Sequence, residues 1–343
     1  MRKKGLGLIG LVGVAIVAAL AFGLSAGTSD ARPATNHKIF FLPKLIGVNV
    51  FTENGRGARL AAQKLGEHVT YNGPTEAVAA KQVPFIDAAI RQGYDAIVIS
   101  ANDPNAVAPA LKRAQARGMK VISYDGDVRR DARTIFVSPP TASKIGAFQV
   151  EWMGAQIGYK GEIAILSATP TAANQNTWIR FMKVALQKPK YKGMKLVKIA
   201  YGNDNPTKSA QETQALVQAY PNLKGIIAPT TVGISSAAQV LDQAGKCKTI
   251  ALTGLGLPDQ MRKYVKKGCA KKFGLWNERD FGYLATYVAS LVLDGKLKGK
   301  IGESFVAGYL GRRSVVRSDG NAPVVVLGNP LVFTPQNIDQ YHF

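Results

Sequence analysis

Histidine is nearly missing from this chain. Three occur in 343 residues, at His37, His68 and His342, far apart along the sequence. They support neither a histidine-based triad nor a histidine metal site. No Gly-x-Ser-x-Gly elbow, no Walker phosphate loop and no dinucleotide glycine fingerprint is present either. Cysteine is scarce as well, limited to Cys247 and Cys269. No histidine lies near them, so no metal is expected, and one disulfide is the simplest pairing in an exported chain. Each cysteine stands just before an expected strand, over residues 249–253 and 272–276. Neighbouring parallel strands would place those ends together, and the closed loop would add about 3 kcal/mol of stability. Acidic residues number half the basic ones, 22 against 44, for a net charge of +22. The basic clusters at 129–133, 188–195, 263–272 and 296–300 do not interleave with aromatics, so no nucleic-acid partner is expected. The charge reads instead as a solvated surface or an attraction to an anionic envelope. Past residue 24 no apolar run approaches the length of a membrane span.

What is present begins with the amino end. Arg2, Lys3 and Lys4 precede an apolar run from Leu6 to Leu24, and small residues follow at Ser25, Ala26, Gly27 and Ala31. That is the layout of a secretory signal over residues 1–31, with an uncleaved anchor as the alternative. No cysteine is nearby to carry a lipid. The chain is therefore read as exported, to the periplasm or the cell envelope.

From residue 38 onward, short apolar runs alternate with helical spacing. Strands are expected at 38–41, 69–71, 96–100, 121–124 and 135–137. Helices are expected at 54–65, 79–92 and 107–117. Ser138–Pro139–Pro140 interrupts the pattern, which restarts through residue 293 and ends in a short mixed tail. Two doubly wound parallel lobes follow from this α/β alternation. The amino-terminal lobe is expected over 38–138 plus about 279–308, and the carboxyl-terminal lobe over 140–277 plus about 309–343. The chain should cross between them near 138–140, near 277–280 and once in the tail, a three-segment hinge.

The polar residues cluster at the carboxyl ends of strands, where open α/β sheets hold ligands. The segment from Ser167 to Trp178, SATPTAANQNTW, leads from a strand at 163–166 into a helix. It offers Asn174, Gln175 and Asn176 with an aromatic ring, which suits a neutral polyhydroxylated ligand. Capping of the next helix is the alternative for its amides. Lys44 is either a surface lysine or a donor to a ligand oxygen. A carboxylate at Asp125 can accept hydrogens from two adjacent sugar hydroxyls, or it caps the next turn, and Asp127 has the same two readings. Phe51 and Trp276 are core residues or sugar-stacking faces. Asp103, Thr231, Gly254 and Asn277 occupy further strand ends. Asp103 with Asp125 could imitate a glycosidase pair; both lie on one lobe beside Lys44, which favours binding. No enzyme activity and no cofactor are expected.

The strings ANDPNAVAPALKRA, SATPTAANQNTWI, YPNLKGIIAPTTVGISSAAQ, TGLGLP and NIDQYHF, with the export signal and two lobes, resemble the type I solute-binding proteins of ABC importers, and more narrowly their rhamnose-binding subgroup. LPKLIGV, YNGPTEA and FGLW join them in a similarity to autoinducer-2-binding proteins. The resemblance covers about residues 38–343. It implies a type I periplasmic binding protein fold, a monomer, a sugar in the cleft and an ABC permease as partner. The autoinducer-2 pattern has counterparts of Lys44, Asp125, Gln175 and Pro229. It has Asp where this chain has Asn174, and Ala where it has Thr231. An amide has one accepting oxygen where a carboxylate has two. The resemblance thus implies L-rhamnose or a related deoxy-sugar, with autoinducer-2 as the alternative. Replacing Asp125 by Ala is expected to abolish binding and leave the melting temperature nearly unchanged.

Overall fold

The computed structural model describes residues 36–343. The expected signal segment, residues 1–31, lies outside the described residues. The first half alternates β1 (Lys38–Leu42), α1 (Asn49–Leu65), β2 (His68–Tyr71), α2 (Ala79–Arg91), β3 (Ala96–Ile99), α3 (Ala108–Ala116), β4 (Lys120–Tyr124) and β5 (Ile135–Ser138). Every residue of β3, and all but the first of β1, is buried, as in a strand covered on both faces. Ile39, Phe41, Val98, Ile122 and Tyr124 face one core; Phe40, Leu42, Ile97, Ile99 and Val121 face the other. That is the two-residue alternation of a sheet between two helix layers.

The second half runs α4 (Ala142–Ile157), β6 (Gly161–Ser167), α5 (Ala173–Leu186), β7 (Met194–Tyr201), α6 (Pro206–Ala219), β8 (Leu223–Ala228), α7 (Thr231–Gln243), β9 (Ala251–Gly254), α8 (Pro258–Lys266) and β10 (Phe273–Leu275). Then come α9 (Glu278–Leu293), β11 (Ser304–Val306), β12 (Arg312–Arg317), β13 (Pro323–Val326) and β14 (Leu331–Phe333). One sheet has the order β11-β12-β13-β5-β4-β3-β1-β2, and another the order β7-β6-β8-β9. The pair β10–β14 adjoins the latter through a parallel bridge between Leu255 and Gly274.

The chain leaves the first sheet after β5, returns through α9, which packs on α1, β3 and β4, and leaves again between β13 and β14. Three crossings were expected, and three are seen among the described residues. The tail is placed differently from the expectation. Residues 309–343 were assigned to the second lobe, yet β12 and β13 hydrogen-bond into the first sheet, β13 parallel to β5. Only β14 joins the second lobe's strands. Val315, Val324 and Val325 are buried there; an apolar strand next to β5 covers an edge that would otherwise be open. Short tail strands carry no label of which sheet they extend.

The disulfide is present, joining Cys247 and Cys269 with a Cα–Cα distance of 4.2 Å. It ties the loop before β9 to the loop before β10. Helices α1 and α9 cross very closely. A Cβ on Gly57 would lie 1.8 Å from the Arg279 carbonyl oxygen, and one on Gly282 would lie 1.9 Å from that of Asn54. This crossing brings the amino ends of both helices to the same place between the sheets.

Candidate functional site

A cavity lies between the carboxyl ends of the two sets of strands. The space between atoms, mouth included, is about 480 Å³, of which about 50 Å³ admits the centre of a water molecule. From the first lobe come Lys44, Phe51, Asn54, Asp125 and Glu278; from the second come Asn174, Gln175, Asp204, Pro229, Thr230 and Thr231. Trp178 and Trp276 add aromatic faces to the wall.

The first-lobe wall is charged and internally braced. Asp125 follows β4 with φ 51°, a left-handed conformation that Asp tolerates better than most residues. Its carboxylate accepts from Ser100 Oγ at 2.8 Å and pairs with Lys44 Nζ at 3.2 Å. The Lys44 side chain is 4 % exposed. Asn102 donates to the Lys44 carbonyl at 2.7 Å, fixing the turn after β1. Beside them Asn54 Nδ2 donates to Glu278 Oε2 at 2.7 Å and to the Glu278 carbonyl at 2.8 Å. Burial pushes the Glu278 carboxyl well above the ordinary 4.5, and the negative charge of Asp125 pushes the same way. Burial thus favours the protonated form of Glu278, the form that can donate as well as accept.

The second-lobe wall is made of helix amino ends. Helix α5 starts at Ala173, so Asn174 and Gln175 sit in its first turn. They had been expected in a loop. Gln175 Oε1 accepts from Ser167 Oγ at 2.6 Å and from the Ala168 amide at 2.8 Å, which binds the helix start to the end of β6. Asn174 bridges the lobes. Its Oδ1 accepts from Lys44 Nζ at 3.0 Å, and its Nδ2 donates to Asp125 Oδ1 at 2.8 Å. Thr231 opens α7, and Pro229 and Thr230 precede it. Thr230 Oγ1 donates to Asp204. Burial raises the Asp204 carboxyl above its ordinary value.

Aromatic rings run from one lobe to the other. Phe41 and Tyr124 are 4.7 Å apart, Tyr124 and Phe281 5.6 Å, Phe281 and Trp276 6.2 Å, and Trp276 and Trp178 5.9 Å. Trp276 is thus both a core residue and part of the cavity wall, and Phe51, also buried, is likewise both.

Of the residues singled out in the sequence, Lys44, Phe51, Asp125, Asn174, Gln175, Pro229, Thr231 and Trp276 line this cavity. Four do not. Asp103 Oδ1 accepts from the amides of Asn105 and Ala106 at 2.8 and 3.0 Å and closes a turn. Asp127 is held by Arg133 and by Ser123 Oγ. Asn277 Oδ1 caps α9, accepting from Arg279 N and Asp280 N. Gly254 ends β9 with φ 146°, where a Cβ would stand 1.9 Å from the Ala228 carbonyl oxygen. All four are strand-end residues whose polar or steric capacity is already used by nearby backbone or, for Asp127, by the Arg133 and Ser123 side chains.

Asn54, Asp204 and Glu278 were missed. Asp204 lies in the β7–α6 connection, so the same strand-end rule could have found it. Glu278 reads in sequence as an ordinary acid in a helix first turn, and Asn54 as the start of a helix. The expectation for Asp125→Ala also needs revision. That change would strand the buried Lys44 ammonium, so stability would fall along with binding.

Residues 39–297 match the periplasmic binding protein domain. The chain belongs to that family. Its two parallel-sheet lobes with three crossings have the type I periplasmic binding protein fold. A solute-binding protein of an ABC transporter from Clostridium phytofermentas, solved with bound L-rhamnose, is 33% identical with a TM-score of 0.88, the match covering 90% of this chain and 98% of that one. A sugar ABC transporter protein from Actinomyces odontolyticus is 40% identical with a TM-score of 0.73, covering 91% and 99%. LsrB from Clostridium saccharobutylicum, in complex with AI-2, is 26% identical with a TM-score of 0.84, covering 89% and 100%. The D-ribose/D-allose-binding protein of Pseudomonas aeruginosa is 26% identical over about half of each chain, 51% of this one and 56% of that one. Among the described residues, no helix is long and apolar enough to cross a membrane.

Proposed function

We propose that this chain is the extracytoplasmic solute-binding component of an ABC sugar importer, that it binds L-rhamnose between its lobes, and that it presents the closed form to a permease without turning the sugar over. The lobes that close are taken as residues 38–138 with 279–326, and residues 140–277 with 327–343. The observation that carries the reading is the Lys44–Asp125–Asn174 triangle, in which one lobe's ion pair is bridged by the other lobe's amide. Each of these contacts can be exchanged for one to a sugar hydroxyl. Lys44 donates, Asp125 accepts twice, and Asn174 does both. The indoles of Trp178 and Trp276 give the apolar surface that the methyl-bearing face of a deoxy-hexose requires. The L-rhamnose complex of the Clostridium phytofermentas protein supports the same choice.

Autoinducer-2 is the second reading, favoured by the similarity to LsrB. A carboxylate in place of Asn174, as in the autoinducer-2 pattern, would face Asp125 across 2.8 Å; the amide avoids that repulsion and leaves one acceptor fewer. A thermal-shift screen against L-rhamnose, other hexoses and pentoses, and autoinducer-2 without borate tests the assignment, because a ligand of the native state alone raises the melting temperature. A shift with L-rhamnose is the expected result. A shift with autoinducer-2 alone overturns the sugar assignment.

A further inference from the structure

A second cavity stands directly behind the first, at the hinge. It offers about 460 Å³ to water centres, against about 50 Å³ in the inner cavity by the same measure. Asp125, Asn174 and Trp178 line both spaces. Two of these shared residues are joined by the 2.8 Å hydrogen bond from Asn174 Nδ2 to Asp125 Oδ1. Both partners are groups assigned above to sugar hydroxyls, so a ligand that takes them over also opens the way between the cavities.

The outer cavity is built from both lobes and from the crossing segments. Phe136, Pro139 and Val324 give it apolar walls. Its charges are unequal in their commitments. Arg133 is held by Asp127, with Nε 2.7 Å from Oδ1 and Nη2 2.9 Å from Oδ2. Asp319 accepts from Ser143 N and Oγ at 2.8 and 2.7 Å, fixing the start of α4. Arg130 and Arg180, one from each lobe, have no ion pair among the described residues. The Arg180 guanidinium also lies 4.8 Å from the centre of the Phe181 ring. The cavity therefore joins an aromatic and aliphatic floor to two guanidiniums without a carboxylate partner among the described residues, groups suited to bidentate recognition of a carboxylate.

The geometry points to a two-ring ligand: a deoxy-hexose in the inner cavity, linked through the Asp125–Asn174 gap to an acidic sugar ring in the outer one. This rests on the sugar-binding reading of the inner cavity and extends it from a monosaccharide to a glycoside. A single ring fills the inner site alone. A disaccharide also uses the outer floor and brings its carboxylate to Arg130 and Arg180.

The test is calorimetry with two probes, free L-rhamnose and a disaccharide of L-rhamnose linked through C1 to a hexuronic acid. The disaccharide is expected to bind about tenfold more tightly, the scale of one added charge-assisted contact at a solvated rim. In Arg130→Gln/Arg180→Gln that advantage disappears, and L-rhamnose binding is unchanged. Ala322→Trp, which narrows the outer cavity from the tail, lowers disaccharide affinity at least as much and spares L-rhamnose. A disaccharide that binds no better than L-rhamnose, or an advantage that survives both variants, overturns the inference while leaving the monosaccharide reading intact. If neither probe binds the unaltered protein, both readings fall. Binding of the disaccharide alone sustains the two-ring site and removes free L-rhamnose as the cargo.

Discussion

The two walls of the cleft solve the same problem with different chemistry. The first-lobe wall carries the Lys44–Asp125 ion pair and the buried acid Glu278, each tied to its own lobe by Asn102, Ser100 or Asn54. The second-lobe wall carries amides and hydroxyls at the starts of α5 and α7, with Asp204 held by Thr230 behind them. A charged wall braced from within is ordered before any ligand arrives, and it supplies the strongest hydrogen bonds. A wall of helix ends changes its message when one side chain changes and leaves its backbone alone. The first wall should therefore set whether a sugar binds, and the second which sugar.

The largest effect on binding should follow from Asp125→Asn. Asn tolerates the left-handed backbone at this position, so the turn survives. Loss of a charged acceptor to a buried ligand should cost roughly 1.5–3 kcal/mol of binding, ten- to a hundredfold or more; calorimetry reads it. Retained affinity would break the division between the walls. Removing the disulfide by Cys247→Ala/Cys269→Ala should lower stability by about 3 kcal/mol in a denaturant titration and leave sugar affinity alone, since it ties loops away from the cavity. A change in affinity would show that the second lobe's frame, and not only its helix ends, shapes the site.

Asn174→Asp sharpens the comparison from the other side. It should weaken L-rhamnose by about 1.5 kcal/mol, tenfold, because a second carboxylate now faces Asp125. Autoinducer-2 should be affected less or gain. Equal losses for both ligands would remove position 174 from specificity.

The effect of Glu278 depends on pH. The folded protein holds a proton that the unfolded chain releases above about 4.5. This residue's contribution thus favours folding at low pH and declines as pH rises from there towards the raised folded value. Glu278→Gln keeps the partner for Asn54 and removes that decline. Melting temperatures of the two proteins should converge at acid pH and separate in favour of the variant as pH rises. Parallel curves would mean that Glu278 ionises normally.

Much of this could be read from the sequence, and the reasons for the exceptions are physical. Doubly buried runs such as IFFL and AIVI announce parallel strands, and strand ends announce the cleft, which is how Lys44, Asp125 and Asn174 were found. That rule does not say which strand-end polar group is already spoken for. Asp103 closes a turn, Asn277 caps a helix and Asp127 is paired with Arg133, commitments set by the folded chain. Nor does it reach Asn54 and Glu278, which come together because Gly57 and Gly282 let two helices cross, a contact between distant parts of the chain. The tail was misassigned for the same kind of reason: a short strand's neighbours are set by tertiary packing.

The most direct single measurement is a calorimetric titration of L-rhamnose into the protein, run beside Asp125→Asn. The unaltered protein should take one sugar per chain, and the variant should bind it at least tenfold more weakly. No binding to the unaltered protein, or equal affinity in both, would contradict it.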